Sequence, residues 1–276
     1  MLAPRNAITF RSGSGRPLYR FNRAIVRNTA RSIVDGLRAN DRGNPTYDGV
    51  KAEHDAYVAA MEAAGVAVTT VPALEAFPDS IFVEDPALTF TKGAILLRPG
   101  APSRAGEVRE IAPALREMFE IVLDLPSPGL ADGGDVLVTP KSVMIGLSCR
   151  TDRAGAVALV ACLAQLGRHG EIVETPKGVL HFKTACSLLD EETILCTPQL
   201  AESGVFDGFR KLITPAGEEA AANALRVNDV VLVGSGFSRT IEMLDGLGYK
   251  VVPVPTSEIG KIDAGLSCMS LRWRAI

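Results

Sequence analysis

The sequence predicts an α/β fold in which five repeated units close into a ring, a propeller-like architecture with a pseudo-fivefold axis. Three observations lead to this expectation. A short β-branched strand runs into a proline at five places along the chain. Each of these strands precedes a polar turn that carries an acid, a histidine or an asparagine. Further strands and amphipathic helical patterns alternate with the turns, and units that cannot bury their apolar faces alone must pack against one another.

The five units are matched by their strands and by the polar positions that follow them. The strand segments are residues 66–72, 121–126, 172–176, 211–215 and 251–255. The polar positions are Asp79 with Glu84 and Asp85, then Asp132, His181, Asn223, and Asp263 with Cys268. A closed ring places every polar turn at the same end, near one axis. Glu84, Asp132, His181 and Cys268 are therefore expected to converge.

Second strands and helices complete the units. Strands are expected at 94–97, 136–138, 193–196 and 229–234, and helices at 50–64, 104–118, 151–166 and 240–246. Gly65 is expected to end the first helix, and segment 38–49 has the composition of a loop. The alternation of strands and helices also fits a doubly wound sheet. Against that fold, no G-x-G-x-x-G motif is present, and Gly234-Ser235-Gly236 is interpreted as a turn.

Composition is that of a globular protein with one large core. The chain has 276 residues, of which 47% are apolar and 22% charged. The five cysteines are an odd number without a C-x-x-C pair, which argues against a disulfide framework and a zinc site. No apolar run is long enough to span a membrane, and Arg5 and Arg11 interrupt any signal-type apolar core. We expect a cytoplasmic protein with one catalytic domain over residues 1–276, whose first twenty residues are less ordered.

The charge distribution is uneven. Residues 1–42 contain nine arginines, no lysine and two acids, Asp35 and Asp41, whereas the net charge of the whole chain is −3. The arginines are scattered among apolar residues rather than clustered with aromatic ones, so we expect no nucleic-acid binding. The acidic remainder favours a cationic ligand.

Two acidic segments indicate a site for a guanidinium group. Asp79, Glu84 and Asp85 place three carboxylates within seven residues beside apolar neighbours. Alone, such a segment is usually a surface turn, but carboxylates in a low-dielectric cavity need a cation. A guanidinium offers a planar fork of five N–H donors. Asp132 lies before Gly133-Gly134, which is either a hairpin turn or a place where the backbone approaches a ligand closely.

A thiol and a histidine lie at the polar positions of the repeats, and two arginines lie after second strands. Cys268 lies in a short segment of small polar residues, where a turn is expected to hold the sulfur toward a cavity. A lone cysteine is more often a small core residue, and a lone histidine is more often structural. His181 is set apart by its position in the repeat, whereas His54 is expected to be exposed. Arg104 and Arg150 both follow second strands and are either surface residues or a clamp for a carboxylate.

These segments together resemble the dimethylarginine dimethylaminohydrolases, guanidine-modifying enzymes of the pentein fold, a five-bladed α/β propeller. The resemblance covers about residue 20 to the end of the chain. It rests on Phe-Pro-Asp-Ser-Ile-Phe-Val-Glu-Asp (77–85), Arg-Pro-Gly-Ala-Pro-Ser-Arg (98–104), Ala-Asp-Gly-Gly-Asp-Val-Leu (131–137), Gly-Leu-Ser-Cys-Arg-Thr (146–151), Leu-His-Phe-Lys (180–183) and Asp-Ala-Gly-Leu-Ser-Cys (263–268).

The resemblance implies a role for each site residue. Cys268 is the implied nucleophile, His181 the general acid and base, and Asp132 the acid that orients His181 or the guanidinium. The resemblance implies that Asp79, Glu84 and Asp85 contact the guanidinium and the amine of the substrate. It implies that Arg104 and Arg150 bind the α-carboxylate. Leu37, in a lid, and Ile262 are implied to offer backbone groups, and Asp263 lies beside them. No cofactor or metal is implied, and the partner is a methylated arginine. A homodimer is compatible with the sequence.

Hydrolysis of methylated arginines to citrulline and a methylamine, through a covalent thiouronium on Cys268, is the expected activity. Two alternatives stay open at the level of sequence. One is deimination of arginine, or hydrolysis of another guanidine. The other is a ribosome-binding pentein protein without catalysis, which would not need Cys268, His181, three acids and two arginines together.

Overall fold

Five three-stranded sheets make up the β-structure of the described part of the chain. The structure, a computed structural model, describes residues 18–39 and 41–276. The strands are β1 (Arg23–Arg27), β2 (Ala67–Val71), β3 (Ala87–Phe90), β4 (Gly93–Leu96), β5 (Val122–Asp124), β6 (Val136–Val138), β7 (Val143–Leu147), β8 (Gly170–Glu174), β9 (Cys186–Leu188), β10 (Thr193–Cys196), β11 (Arg210–Ile213), β12 (Leu225–Val227), β13 (Val230–Gly234), β14 (Lys250–Val254) and β15 (Leu271–Trp273).

The helices lie mostly between the second and third strands of a sheet. They are α1 (Tyr47–Ala63), α2 (Glu107–Met118), α3 (Arg153–Gln165), α4 (Pro198–Glu202) and α5 (Ser238–Gly246). Two of them begin at side-chain caps. Thr46 accepts a hydrogen bond from the backbone N–H of Gly49 at 3.1 Å, and Asp152 accepts one from Gly155 at 2.6 Å. Such caps satisfy N–H groups that have no partner in the first turn of a helix.

All five sheets have the same pattern. The sheets are β3-β4-β5, β6-β7-β8, β9-β10-β11, β12-β13-β14 and β15-β1-β2. In each, the middle strand is antiparallel to the first strand named and parallel to the last. The first strands of neighbouring sheets contact one another, as β15 does β3 and β9 does β12. We call β3, β6, β9, β12 and β15 the inner strands.

The fifth sheet closes the ring by joining strands from opposite parts of the sequence. Strand β15 pairs antiparallel with β1, with Leu271 opposite Ile25 and Trp273 opposite Arg23. Ile25, Leu271 and Trp273 are buried in one cluster with Ala94 and Leu96 of the neighbouring sheet. The predicted fold class, a five-bladed α/β propeller, is therefore confirmed.

The sequence-based element bounds differ from the structure mainly at the inner strands. Strand 136–138 was expected as a second strand but is the inner strand β6, and the middle strand of that sheet is β7. The other inner strands were not predicted, because three or four residues are too few for an alternating pattern to be recognised. The Gly234-Ser235-Gly236 turn is confirmed. The expected loop 38–49 ends in the first turn of α1, which begins at Tyr47.

The expectation that His54 is exposed is wrong. Its side chain lies on the buried face of α1, with 3% of its surface accessible. Burial lowers the pKa of His54 to about 4, so the imidazole is neutral at physiological pH. The polar neighbours of His54 in the sequence concealed this position, because α1 turns Val50, Tyr57 and Met61 toward the same core.

Membrane-spanning helices are not found in the described residues, since none of their helices combines the necessary length with apolar composition. The expectation of a less ordered segment falls mostly on residues 1–17, which lie outside the described residues.

Candidate active site

Five single-turn 3₁₀ helices precede the inner strands and carry the polar residues at one end of the ring. They are Pro78–Ile81, Gly133–Asp135, Phe182–Ala185, Glu219–Ala222 and Ile259–Ile262. The turn at 182–185 contacts both the turn at 133–135 and the turn at 219–222. Every polar position singled out in the sequence lies in one of these turns or within six residues of it.

The thiol of Cys268 is held by a turn that depends on Asn223. The side-chain amide of Asn223 approaches Sγ at 3.8 Å, and its Oδ1 accepts the backbone N–H of Ser267 at 3.1 Å. A Cβ on Gly265 would lie 2.4 Å from Asn223, so the turn requires glycine there. Asn223 was recognised in the sequence as a repeat position but not as a site residue.

The electrostatic surroundings of Cys268 favour the neutral thiol. Burial is the main cause, and the nearby carboxylates of Glu84 and Asp85 act in the same direction. Together they raise the pKa of the Cys268 thiol to about 11. The sulfur is therefore protonated at neutral pH until a positive charge comes beside it.

His181 and Asp132 form a buried pair. Nε2 of His181 lies 3.0 Å from Oδ2 of Asp132, whose other oxygen accepts the N–H of Gly100 at 2.6 Å. Burial by itself lowers the pKa of His181. The hydrogen bond to Asp132 and the charges of Asp85 and Asp135 outweigh burial and raise that pKa to about 9. The imidazole is consequently protonated at neutral pH.

Asp135 ties the turn of Asp132 to the turn of His181. Its Oδ1 accepts the backbone N–H of Phe182 at 2.8 Å, and its Oδ2 accepts the hydroxyls of Ser148 and Thr151 at 2.6 and 2.7 Å. Asp135 is fully buried. The sequence analysis quoted this residue within the Asp-Gly-Gly-Asp segment without giving it a role. The feature that could have identified Asp135 is that it is the second acidic residue of the same short turn, after Asp132.

The three expected carboxylates are buried together, and each has its own partner. Asp79 accepts the backbone N–H of Leu37 at 2.9 Å. Asp85 binds Arg104 and accepts the N–H of Gly134 at 3.1 Å. Glu84 forms ion pairs with Lys183 at 2.5 Å and with Arg272 at 2.8 Å. Neither Lys183 nor Arg272 was assigned a part in the site from sequence.

The pKa values of Asp79 and Asp85 are shifted in opposite directions. Burial raises the pKa of Asp79 despite the opposing effect of Arg104. Burial also acts on Asp85, but the positive charges of Arg104 and His181 outweigh it and lower the pKa of Asp85. Of these two, Asp85 is thus the carboxylate that stays ionised more readily.

Arg104 does not face open space as a carboxylate clamp would. Its guanidinium donates to both carboxylate oxygens of Glu107 at 2.9 and 2.7 Å, to Asp85, and to the backbone carbonyls of Asp79 and Phe82. The side chain is 5% accessible. Two buried carboxylates need a cation between them, which explains the inward position. A contact with a substrate carboxylate requires Arg104 to leave these partners.

Arg150 lies near enough to the acidic cluster for its charge to act there. It is half-buried, and its positive charge acts on the carboxyl of Asp79. Its carbonyl group packs against Gly100, where a Cβ would lie 2.4 Å from the oxygen. The loops after β4 and β7 are thereby held in contact.

The segment expected to form a lid is fastened to the turn before Cys268. The backbone N–H of Ala39 donates to Asp263 at 2.5 Å, and Asp263 has a left-handed backbone with φ of 55°. Leu37 is 39% exposed, whereas Ile262 is buried. Residue 40, which belongs to this segment, lies outside the described residues.

One group in the described residues has a metal-like arrangement. Single ligand atoms of Asp85, Asp132 and His181 all lie within 4.8 Å of one another. The carboxylate oxygens of this group already have hydrogen-bond partners. Asp85 accepts from Arg104 and Gly134, and Asp132 is bonded to Gly100 and His181. This donor set suits an acid–base site. The expectation of a site without metal or cofactor stays a prediction.

Comparison with known proteins gives the class and then the family. A family model described as arginine deiminase matches residues 72–221. The five-sheet ring and this match place the chain in the arginine deiminase class of guanidine-modifying enzymes. The chain is 39% identical to N(G),N(G)-dimethylarginine dimethylaminohydrolase of Pseudomonas aeruginosa over 92% of its length and 100% of that protein. It belongs to the dimethylarginine dimethylaminohydrolase family.

Further relatives agree with this assignment. The enzyme of the same name from Streptomyces coelicolor is 31% identical over 92% of this chain and 98% of its own. A solved structure of the Pseudomonas aeruginosa enzyme, a variant complexed with citrulline, is 38% identical with a TM-score of 0.89, covering 92% of this chain and all of that one. A dimethylarginine dimethylaminohydrolase adduct with S-methyl-L-thiocitrulline is 39% identical with a TM-score of 0.88, covering 91% and 99%.

Proposed function

We propose that the protein hydrolyses N-omega-methylated arginines, asymmetric dimethylarginine and monomethylarginine, to citrulline and a methylamine. The observation that carries this proposal is the meeting of the Cys268 turn, the His181–Asp132 pair and three buried carboxylates at one end of the ring. The carboxylates suit a guanidinium, and the thiol suits attack on its carbon. The names of the relatives and the citrulline complex of one of them support the same activity.

The charges around Cys268 explain why its thiol ionises only when substrate binds. Cys268 is neutral at neutral pH, with a thiol pKa of about 11. A guanidinium bound beside Asp79, Glu84 and Asp85 brings a positive charge next to the sulfur and offsets those carboxylates. The bound cation thereby favours the thiolate, and the thiol proton passes to water because His181 is already protonated. Substrate binding activates the nucleophile, which limits reactions of the thiol with other molecules.

The reaction proceeds in two balanced halves. The Cys268 thiolate forms a bond to the guanidinium carbon, and His181 donates its proton to the departing dimethylamine as the C–N bond breaks. A thiouronium remains on the sulfur. His181, now neutral, takes a proton from water, and the oxygen attacks the same carbon. The hydroxyl proton of this adduct passes to water as the C–S bond breaks, citrulline leaves, and the thiolate and protonated His181 are restored.

The substrate contacts of this proposal follow the same geometry. Asp132 orients His181, while Asp79, Glu84 and Asp85 hold the guanidinium and the substrate amine. Leu37 and Ile262 offer backbone groups, with Asp263 bracing the lid through Ala39. Arg104 and Arg150 bind the α-carboxylate, Arg104 after turning away from Asp85 and Glu107.

We propose one catalytic domain over residues 1–276 that acts on a small molecule in the cytoplasm, without nucleic acid, membrane, metal or cofactor. The five cysteines are all unpaired, which suits a reducing compartment. A homodimer is the proposed quaternary state to be tested by light scattering.

Citrulline release from dimethylarginine, monomethylarginine and arginine, compared side by side, tests the proposed function. We expect kcat/KM for the two methylated substrates to exceed that for arginine. The alternative is an arginine deiminase activity, which the family model's description favours. Preference for arginine would establish that alternative, and no citrulline from any of the three substrates would refute both.

The pKa of His181 sets a limit on activity at high pH. His181 donates a proton to the amine only while it is protonated, and that form is lost as the pH rises through about 9. We expect kcat/KM for dimethylarginine to fall above this pH. Asp132→Asn removes the hydrogen-bonded anion, lowers the pKa of His181, and shifts the fall to lower pH.

The pH profiles of wild type, Asp132→Asn and Glu174→Gln check this expectation. Glu174 is exposed and paired with Arg153, so its neutral variant serves as the matched control and keeps the wild-type profile. An unchanged falling limb in Asp132→Asn would show that the limb belongs to another group.

The two arginines are expected to respond differently to substitution. Arg150→Ala removes a contact remote from the reacting carbon, so it raises KM about tenfold or more with a smaller effect on kcat. Arg104→Ala also leaves Asp85 and Glu107 without their cation, so it lowers both kcat and thermal stability. Lysine at position 150 restores binding only in part, because an ammonium lacks the planar fork.

Steady-state kinetics with dimethylarginine and with its decarboxylated analogue check the clamp. The analogue has no carboxylate, so Arg150→Ala is expected to change its kcat/KM little. An equal proportional loss with both substrates would show that Arg150 acts on the fold and not on the carboxylate.

A further inference from the structure

A second cavity lies along the axis of the ring, below the candidate active site. Its volume is about 350 Å³, and residues of all five inner strands line it. Each inner strand begins at a polar turn and runs away from it, and the lining reaches the far strand ends at Phe90, Val138 and Leu188. Glu84 and Lys183, whose charges act on the Cys268 thiol, also border this cavity. We call it the axial cavity.

The side chains around the axial cavity are strongly cationic. Six basic residues line it, and Glu84 is the one acidic side chain among them. The basic residues are Arg20, Arg168, Lys183, Arg226, Arg272 and Arg274. Glu84 is shared between Lys183 and Arg272, and Arg20 is paired with Asp229. The remaining three arginines leave an excess of positive charge in a partly enclosed space.

Buried hydrogen-bond donors without an acceptor are concentrated at this cavity. Among the described residues, three buried guanidinium nitrogens have no partner, namely Nη1 of Arg226, Nε of Arg272 and Nε of Arg274. All three arginines line the axial cavity. The hydroxyls of Ser187 and Ser267, which line it as well, are also unpartnered. An unpaired buried donor is costly, and more so on a charged group.

The arginines are held in place by contacts with the protein, of which only the ion pair of Arg272 with Glu84 brings a negative charge. Arg226 lies over the rings of Tyr19 and Tyr249, at 4.9 and 5.7 Å from the centroids, and its Nε donates to the carbonyl of Asn228. Burial lowers the pKa of Arg226, so its charge is incompletely compensated. Arg272 is fixed by Glu84 and by the backbone and hydroxyl of Ser270. Donors that are fixed in advance suit the binding of an anion.

Much of the remaining lining is apolar. Leu88, Phe90, Val136, Leu225 and Trp273 all border the axial cavity. A bare inorganic anion would leave these surfaces facing water. A carboxylate with a short aliphatic tail satisfies both parts, because its oxygens accept from guanidinium N–H groups and its tail covers the apolar wall.

We propose that the axial cavity is a binding site for a small organic carboxylate with a short apolar tail, separate from the site of guanidine hydrolysis. The carboxylate lies at Arg226, Arg272 and Arg274, and the tail lies along the inner strands. Arg226 and Arg274 have no part in the proposed enzymatic activity, whereas Arg272 is paired with Glu84, which is one of the proposed guanidinium contacts.

Isothermal titration with hexanoate tests the site, with 1-hexanol and inorganic phosphate as comparison ligands. We expect one hexanoate per chain, bound at least tenfold more tightly than hexanol and than phosphate. Arg226→Gln and Arg274→Gln should each weaken hexanoate binding at least tenfold. Arg153→Gln should leave it unchanged, because Arg153 is an exposed arginine paired with Glu174, away from the cavity.

Several results would overturn the proposal. These are no hexanoate binding at millimolar concentration, equal binding of hexanol, tighter binding of phosphate, or unchanged affinity in both Arg226→Gln and Arg274→Gln. Thermal melting shows whether each variant is folded, and one folded variant suffices for the comparison. A crystal structure of the wild type with hexanoate decides the location, and density in the Cys268 site alone would refute the axial site.

Discussion

Serine in place of Cys268 is expected to reduce citrulline release from dimethylarginine by more than a hundredfold, equivalent to a rise of about 3 kcal/mol in the barrier. A serine hydroxyl has nearly the shape of the thiol but is much harder to ionise. The surroundings that raise the thiol pKa to about 11 penalise an alkoxide even more. Turnover is therefore lost, whereas the turn held by Asn223 keeps its conformation.

Cys149→Ser is the matched control for this experiment. Cys149 is exposed and lies outside the proposed catalytic group, so its replacement should leave the rate unchanged. Thermal melting and citrulline binding should be nearly the same for wild type and Cys268→Ser. Treatment of the wild type with a haloacetamidine should give one adduct by mass spectrometry, on Cys268. Turnover above about one per cent in Cys268→Ser would contradict its role as the nucleophile.

Alanine in place of His181 is expected to have the second large effect, and the effect should depend on the leaving group. Dimethylamine must be protonated as it departs, so loss of the acid should lower kcat for dimethylarginine by about 10³-fold. S-methyl-L-thiocitrulline releases a thiol, which departs without that help. Formation of the covalent intermediate from this substrate should be affected much less.

Mass spectrometry of the enzyme during turnover separates the two roles of His181. The variant should accumulate the thiouronium on Cys268 when given S-methyl-L-thiocitrulline, since no base activates water for the second half of the reaction. His169→Ala changes an exposed loop histidine and should behave as the wild type. Equal losses for both substrates, without accumulation, would show that His181 supports the fold of the site and not proton transfer.

The repeat in the sequence was sufficient to predict the ring and the end at which the site lies. Strand, proline and polar turn recur with a constant order, so the turns of Asp132, His181 and Cys268 were expected together. Four of the five inner strands were missed, and three of these, Cys186–Leu188, Leu225–Val227 and Leu271–Trp273, have only three residues each. At that length the pairing comes from neighbouring strands and not from a local pattern.

The ion-pair partners of the charged residues could not be predicted from the sequence, and the reason is a different one. Arg104 was expected to face a substrate, but the structure sets it between Asp85 and Glu107. Glu84 was expected to contact the guanidinium, but it is paired with Lys183 from the turn at 182–185 and with Arg272 from strand β15. Ion pairs of this kind depend on where distant segments meet, and no spacing along the chain encodes that distance.

The pairing of β15 with β1 has a consequence for biosynthesis. Cys268 lies three residues before β15, and that strand finds its partner in β1, almost the whole length of the chain away. Contacts between such distant segments form slowly and late, because a long loop must close first. During synthesis on the ribosome, the turns of Asp79, Asp132 and His181 are made before Cys268. The turn of Cys268 is thus expected to reach its place in the site only when β15 pairs with β1.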